Sequence, residues 1–206
     1  VTETRNAYNI SVHVGASTDV GSNATRMTST DESRKEVCRP TDPLLKPRHM
    51  IQIGNWNVRT MYATGKTEQI ARELRNNKLK IMGISEARWT GSGKMTTRTG
   101  ETVIYSGREE GEAHESGVAI MLAKGIEKTL LEWNPVSDRI ITARFNSNHI
   151  KLTVIHAYAP TNEADDENKD LFYDQLQEEV DNAKKHDMMI VTGDMNAKVG
   201  NDNRHL

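Results

Sequence analysis

The pattern of apolar residues divides the chain into two parts. Up to residue 48, Ser, Thr, Asn, Asp and Arg predominate, and no apolar period extends beyond a few positions. A segment of this kind buries too little apolar surface to offset the conformational entropy that ordering would cost. We therefore predict a disordered polar segment over 1–48 and a folded domain over 49–206.

The second part of the chain carries both the period of a strand and the period of a helix. Two amphipathic helices are predicted, at Thr67–Asn76 and Glu167–Lys185. Strands are predicted at Met50–Val58, Leu79–Ser85, Glu101–Ser106, Gly117–Leu122, Arg139–Phe145, Ile150–Ala157 and Met188–Thr192. This order of strands and helices predicts an α/β layered domain with a mixed sheet.

Several of these segments also indicate their own position in the fold. Gly117–Leu122 is nearly all apolar and is expected at the centre of a sheet, and Met188–Thr192 is expected to be a buried strand. Arg139–Phe145 and Ile150–Ala157 are expected to form a hairpin. The acidic run Asp165–Glu167 is typical of the first turn of a helix, where the helix dipole favours negative charge.

Composition and charge narrow the classes of function. The 206 residues are 35% hydrophobic and 27% charged, with a net charge of -2, so a protein that binds nucleic acid through a general positive field is excluded. A local basic rim is still compatible with these totals. The single cysteine, Cys38, permits no intramolecular disulfide and is interpreted as an inert thiol in the polar segment. No signal sequence and no membrane-spanning apolar run is found, so no membrane partner is expected.

Polar side chains follow several of the predicted strands at the point where each strand ends. In open α/β sheets, ligands bind outside the carboxyl ends of the strands. The residues gathered there are two carboxylates, two carboxamides, a phenol and a guanidinium: Asn57, Glu86, Arg88, Tyr158, Asp194 and Asn196. Hard oxygen donors of this kind suit Mg²⁺ or Mn²⁺ rather than zinc. The sequence therefore predicts a magnesium site at Glu86, with help from Asn57 or Asp194, that can neutralise phosphate oxygens.

Five motifs resemble a known family in their order and spacing. They are NWNVRT, ISEARW, SGVAIML, HAYAPT and GDMN, and they span about Met50 to Gly200. Together they resemble the endonuclease/exonuclease/phosphatase (DNase-I-like) superfamily. Within it they are most similar to the endonuclease domain of RTE/BovB-type non-LTR retrotransposons, a similarity shared by craniofacial development protein 2-like proteins. The resemblance implies a four-layered α/β sandwich, here partial, that nicks DNA with the help of Mg²⁺.

The resemblance also implies a role for each matching residue. Glu86 matches the residue that binds the metal, and Asn57 matches the one that places the metal and the catalytic carboxylate. Asp194 matches the residue that orients or activates the attacking water. Tyr158 matches the tyrosine that contacts the scissile phosphate or assists the leaving oxygen, and Asn196 the asparagine that supports the phosphate.

The match is incomplete in two respects. Arg88 stands where related nucleases often have a basic residue, so its role in substrate binding is a looser carry-over. The family's later motifs, an Asp in a loop and a Ser-Asp-His, do not occur before Leu206. His205 is no substitute, since no Ser-Asp precedes it. We expect an exposed sheet edge and weak or no activity in a chain without the histidine that polarises the phosphate.

Taken singly, the candidate residues have structural interpretations as well. Asn57 suits a turn, Asp194 a cap, and Tyr158 core packing. The two tryptophans Trp56 and Trp89 are expected to be buried rather than to stack on DNA. His156 is interpreted as a histidine of the sheet.

The leading functional hypothesis is a Mg²⁺-dependent DNA-nicking endonuclease of retrotransposon origin, located inside the cell and in the nucleus. One alternative is a non-catalytic, domesticated remnant that keeps only a binding role. A second is a phosphatase with the same metal core that acts on phosphoinositides or sphingomyelin.

Overall fold

The computed structural model of the chain describes residues 7–13, 50–147 and 150–196. The helices are α1 (Lys66–Asn76) and α2 (Asp166–Asn182), and a short 3₁₀ helix spans Ile126–Thr129. The strands are β1 (Ala7–His13), β2 (Met50–Asn57), β3 (Ile81–Ser85), β4 (Ser92–Thr96), β5 (Thr102–Ser106), β6 (Val118–Leu122), β7 (Leu130–Pro135), β8 (Ile140–Phe145), β9 (Leu152–Tyr158) and β10 (Met188–Asp194).

The strands form two mixed sheets. The first has six strands in the order β1-β2-β3-β6-β5-β4, and the second has four in the order β10-β9-β8-β7. Within the first sheet β2 and β3 are parallel, and within the second β9 and β10 are parallel. All other neighbours are antiparallel. The carboxyl ends of each parallel pair therefore lie at the same edge of their sheet.

Three apolar clusters separate four layers. The largest lies between the two sheets and includes Ile53, Ile120, Phe145 and Val154. A second joins the outer face of the first sheet to α1, and a third joins the outer face of the second sheet to Phe172 of α2. The predicted α/β/β/α sandwich with mixed sheets is therefore confirmed.

Both helices form where the sequence predicts them. In α1, Ile70, Ala71 and Leu74 are buried on one face, as their spacing requires. In α2, Asp165 is the N-cap and its side chain accepts from the backbone N–H of Asn168 at 2.8 Å. The acidic run therefore lies at a helix start, as predicted, although the helix ends at Asn182 rather than Lys185.

The strand predictions are confirmed in part. β6 lies in the middle of the six-stranded sheet, and β8 and β9 form an antiparallel pair. The prediction that Met188–Thr192 is a buried strand is wrong. β10 is an edge strand among the described strands, and Met189 and Val191 are 40% and 37% exposed. Strands β4 and β7 were not predicted. The sequence of β4 is largely polar and its residues are mostly exposed, and β7 ends in Asn134 and Pro135 and has no buried residue.

The prediction of disorder over 1–48 is wrong for residues 7–13. These residues form β1, which pairs antiparallel with β2 along its whole length. A backbone ladder depends little on side-chain pattern, so a polar segment can join a sheet edge that apolar periodicity does not reveal. The rest of the segment, including Cys38, lies outside the described residues, and so does His205. No helix in the described ranges is long and apolar enough to cross a membrane.

A buried carboxylate, Glu101, stabilises the turn before β5. This turn lies at the end of the sheet opposite to the carboxyl end of β3. The Glu101 side chain is 2% exposed and forms an ion pair with Arg75 at the end of α1. It also accepts hydrogen bonds from the hydroxyls of Thr97 and Thr99. Burial opposes ionisation, but these hydrogen bonds outweigh it and lower the pKa of Glu101 to about 2.

Replacing Glu101 by Gln is expected to cost about 3 kcal/mol of unfolding free energy at neutral pH, because the ionised form is the one that the fold stabilises. A carboxyl whose pKa is lowered on folding contributes above its unfolded pKa of about 4.5. The difference between wild type and variant should therefore shrink as the pH falls from about 4.5 towards about 2. Urea unfolding followed by tryptophan fluorescence measures it. The exposed Glu163→Gln change is the control, and an equal cost in both variants would contradict the expectation.

Candidate active site

The layer between the sheets changes from apolar to polar along the strands. Near the amino-terminal ends of β2, β9 and β10, the residues that face the opposite sheet are aliphatic or methionine. Further along the same faces, towards the carboxyl ends of the strands, the residues are polar. They are Asn55 and Asn57 in β2, His156 and Tyr158 in β9, and Thr192 and Asp194 in β10. The polar end of this layer is where the strand ends of the two sheets meet.

The side chain of Asn57 holds two carboxylates together. Its Nδ2 donates to Oε1 of Glu86 at 2.7 Å and to Oδ2 of Asp194 at 2.9 Å. Its Oδ1 accepts from the backbone N–H of Arg59 at 3.1 Å, which fixes the orientation of the amide. Residues from two sheets, separated by more than a hundred positions in the chain, thus contact one nitrogen atom.

Tyr158 adds a phenol to the same carboxylate. Its hydroxyl donates to Oε1 of Glu86 at 3.2 Å. Burial raises the pKa of Tyr158, and the negative charge of Glu86 raises it further. The phenol therefore stays protonated at neutral pH. The guanidinium of Arg139 lies 5.1 Å from the centre of the Tyr158 ring and donates to the Tyr158 carbonyl at 3.3 Å.

The remaining predicted residues complete the cluster. Arg88 lies 3.2 Å from Oε2 of Glu86. The backbone N–H of Asn196 donates to Oδ1 of Asp194 at 3.2 Å, and its side-chain amide donates to the carbonyl of Ala159 at 2.7 Å. The structure thus brings all six candidate residues to one place. The asparagine amides orient the carboxylates and the chain around them.

The turns that carry these residues have unusual backbone conformations. In the described part of the chain, five residues other than glycine have positive φ, and four of them surround the site: Arg59 (59°), Glu86 (56°), Arg88 (57°) and Asn196 (45°). Side chains other than Gly, Asn and Asp adopt this region at some cost, and such strain persists where the surroundings enforce it. The turn from Glu86 to Arg88 is held in this conformation because the N–H of Ala87 donates to the carbonyl of Gly117 at 2.8 Å.

One layer below the site, two polar contacts cross between the sheets. The side-chain amide of Asn55 donates to Oγ1 of Thr192 at 3.0 Å and to the carbonyl of Gly193 at 3.1 Å. The hydroxyl of Ser85 lies 3.2 Å from Nε2 of His156. The first contact joins β2 to β10 directly below Asn57 and Asp194. The second joins β3 to β9 below Glu86 and Tyr158. The first contact therefore fixes the distance between Asn57 and Asp194, and the second fixes the distance between Glu86 and Tyr158.

His156, which we interpreted as a histidine of the sheet, is fully buried in β9. Its ring fills the space beside Gly83, where an added Cβ would lie 2.2 Å from Nδ1, so β3 needs glycine at this position. Burial lowers the pKa of His156 to about 4, although a backbone hydrogen bond at Ile84 and the charge of Asp194 act in the opposite direction. The histidine is therefore neutral at physiological pH.

The tryptophans serve packing, as expected. Trp56 and Trp89 are partly buried and pack against the cluster beneath α1. Trp89 also makes an edge-to-face contact with Tyr105 at 4.9 Å. Sequence reasoning missed Arg139, Asn55 and Ser85, because nothing in their local pattern shows which side chain lies across the gap between the sheets.

The donor set fits a magnesium ion. Within the described ranges, no group of three or more His, Cys, Asp or Glu side chains is placed to hold a metal. Magnesium does not require one, since it binds through one or two carboxylates and retains several waters. Glu86 and Asp194 supply two carboxylates that share one amide donor, and the guanidinium of Arg88 lies beside Glu86.

Comparison with solved structures identifies the class of fold. An AP endonuclease from Archaeoglobus fulgidus matches 72% of this chain and 58% of its own with a TM-score of 0.54 and 19% identity. D. rerio TDP2, solved with a single-strand DNA product, matches 72% of this chain and 62% of its own with a TM-score of 0.52 and 12% identity. The chain therefore shares the fold of these proteins, and the DNase-I-like fold that the motifs imply is confirmed.

In sequence, the chain is similar to craniofacial development protein 2 of Bos taurus, with 34% identity over 172 residues. The match covers 84% of this chain but only 27% of the relative, so the chain spans about a quarter of that protein's length. No protein-family model matches the sequence.

The buried neutral histidine predicts a dependence of stability on pH. A histidine whose pKa falls from 6.5 to about 4 on folding stabilises the fold fully above pH 6.5 and progressively less as the pH falls below it. Lowering the pH from about 7.5 to about 5 should cost about 2 kcal/mol through His156 alone. Urea unfolding of the wild type and of His156→Gln at both pH values measures this. The variant should lose that part of the pH dependence, and an unchanged slope would contradict the assignment.

Proposed function

We propose that this chain carries a Mg²⁺-dependent phosphodiesterase site that nicks DNA. The observation that supports the proposal most strongly is the contact of one Asn57 nitrogen with both Glu86 and Asp194. It places two carboxylates at the strand ends of two sheets, where a hydrated divalent cation and a phosphate would both find partners.

Each residue has a role in this proposal. Glu86 would hold the cation together with Asp194, and Asn57 would keep both carboxylates in place. A bound divalent cation supplies charge stabilisation for phosphate oxygens and for a leaving alkoxide. Asp194 would accept a proton from the attacking water as the water oxygen bonds to phosphorus and the bond from phosphorus to the leaving oxygen breaks. Tyr158, whose raised pKa keeps its proton, would donate it to the leaving oxygen and be reprotonated by solvent.

The substrate is proposed from three observations. The structural neighbours include a protein named an AP endonuclease and one bound to a single-strand DNA product. Two arginine side chains lie at the site: Arg88 is 3.2 Å from Glu86, and Arg139 is 5.1 Å from the centre of the Tyr158 ring. They offer a local positive rim in a chain of net charge -2. Asn196 closes the same edge and would support the phosphate. A DNA substrate implies a nuclear location, and the order of the motifs supports an origin in a retrotransposon.

Neutralising either carboxylate is expected to lower the proposed activity strongly. In a chain that also carries the family's later Asp and Ser-Asp-His motifs, Glu86→Gln and Asp194→Asn should each lower the rate of plasmid nicking about 10²- to 10⁴-fold, because each removes a charge from the metal site or the proton acceptor. The measurement is conversion of supercoiled to open-circular plasmid with Mg²⁺, with Mn²⁺ and with chelator. The matched control is Glu178→Gln, an exposed glutamate of α2.

A second readout separates metal binding from catalysis. Mn²⁺ titration followed by thermal unfolding should stabilise the wild type and not the two carboxylate variants. Stabilisation without nicking would favour the alternative of a binding protein without catalysis. Nicking that survives both substitutions would overturn the proposed site.

A further inference from the structure

A solvent-exposed aromatic pair stands beside the candidate active site. Tyr62, in the loop between β2 and α1, is 70% exposed, the most exposed of the large apolar side chains in the described residues. Its ring lies 4.9 Å from that of His114, at an angle of 49°. His114 is itself exposed and belongs to the loop between β5 and β6.

The pair is attached to the turn that carries the site residues. The N–H of Met61, next to Tyr62, donates to the carbonyl of Ala87 at 2.9 Å. Nδ1 of His114 lies 2.9 Å from the carbonyl of Arg88. Tyr62 and His114 thus approach from two different loops, and both loops contact the backbone of Ala87 and Arg88, the two residues after Glu86.

Packing does not account for the pair. Trp56, Trp89 and Tyr105 also lie near this end of the sheet, but they are partly buried against the cluster beneath α1. Tyr62 belongs to no apolar cluster in the described part of the chain. An aromatic ring held in water gains little for the fold, whereas a ring beside a phosphate site offers a face on which a base can stack.

The surrounding charges favour a base over a phosphate at this position. The loop of His114 carries four exposed glutamates, Glu109, Glu110, Glu112 and Glu115, against one arginine, Arg108, which pairs with Glu115 at 3.2 Å. The loop is therefore acidic on balance and would repel a nucleic-acid backbone running along it. A positive charge, that of Arg88, lies on the side of Glu86, 3.2 Å from its carboxylate. This distribution suits a strand whose phosphate lies at the carboxylates and whose neighbouring base turns towards the aromatic pair.

We propose that Tyr62 and His114 form a stacking surface for an unpaired nucleobase adjacent to the phosphodiester that binds at Glu86 and Asp194. The proposal rests on the proposed function and names its preferred ligand class, single-stranded nucleic acid. Tyr62 provides the face for the base, and His114 holds the ring of Tyr62 in place. Stacking of this kind tolerates any base, because every base has a π face.

The test is binding of the full chain to a short phosphorothioate single strand that contains one 2-aminopurine. Fluorescence anisotropy gives the affinity, and quenching of 2-aminopurine reports stacking. Tyr62→Ala is expected to weaken binding about 5- to 100-fold and to relieve the quenching, while Tyr62→Phe should bind within about twofold of wild type. An otherwise identical strand without the base at that position should bind wild type and Tyr62→Ala equally.

The matched control is Tyr173→Ala, which removes a 50% exposed tyrosine of α2 that also has one aromatic neighbour, Phe172. It should leave binding unchanged. Equal binding by wild type and Tyr62→Ala, or an equal loss on the strand without the base, would overturn the stacking surface alone. If the wild type does not bind the strand and the Glu86→Gln variant nicks plasmid as fast as the wild type, the proposed function and this inference are both overturned.

Discussion

The packing of the two sheets against each other is the constraint on which the site depends. Glu86 follows a strand of the first sheet and Asp194 ends a strand of the second, so neither sheet alone forms the pair. The apolar cluster between the sheets sets their separation. A close-packed core of this kind resists changes of even one methylene group, and it therefore transmits fixed distances to its polar edge.

The polar layer below the site turns this general packing into a defined geometry. Burying an amide, a hydroxyl and an imidazole is costly unless their hydrogen bonds are satisfied. Asn55, Thr192, Ser85 and His156 satisfy most of that requirement by contacting each other across the gap between the sheets. Hydrogen bonds have directions that apolar contacts lack, so they fix how one sheet is aligned on the other as well as how far apart they lie.

The sequence predicts those features that follow from local pattern. The continuous apolar run of β6 indicates a central strand, and the polar residues after the strands indicate the site, because both signals are contiguous in the chain. The exposure of Met189 and Val191 follows instead from the edge position of β10. The pairing of β1 follows from the backbone N–H and C=O groups that β2 offers on its other side. Arg139 joins the site through its contacts with the ring and the carbonyl of Tyr158. These features depend on partners distant in sequence, which periodicity cannot identify.

The edge position of β10 has a consequence for how the site holds together. Glu86 extends from the interior of a six-stranded sheet, whereas Asp194 ends a strand that is paired on one side only in the described part of the chain. Edge strands open at lower free energy than central ones. Fraying of this strand would thus separate the two acids while the hydrophobic interior stays intact. A cation bound to both carboxylates would therefore also hold β10 in the sheet. Its binding would slow amide hydrogen exchange along β10.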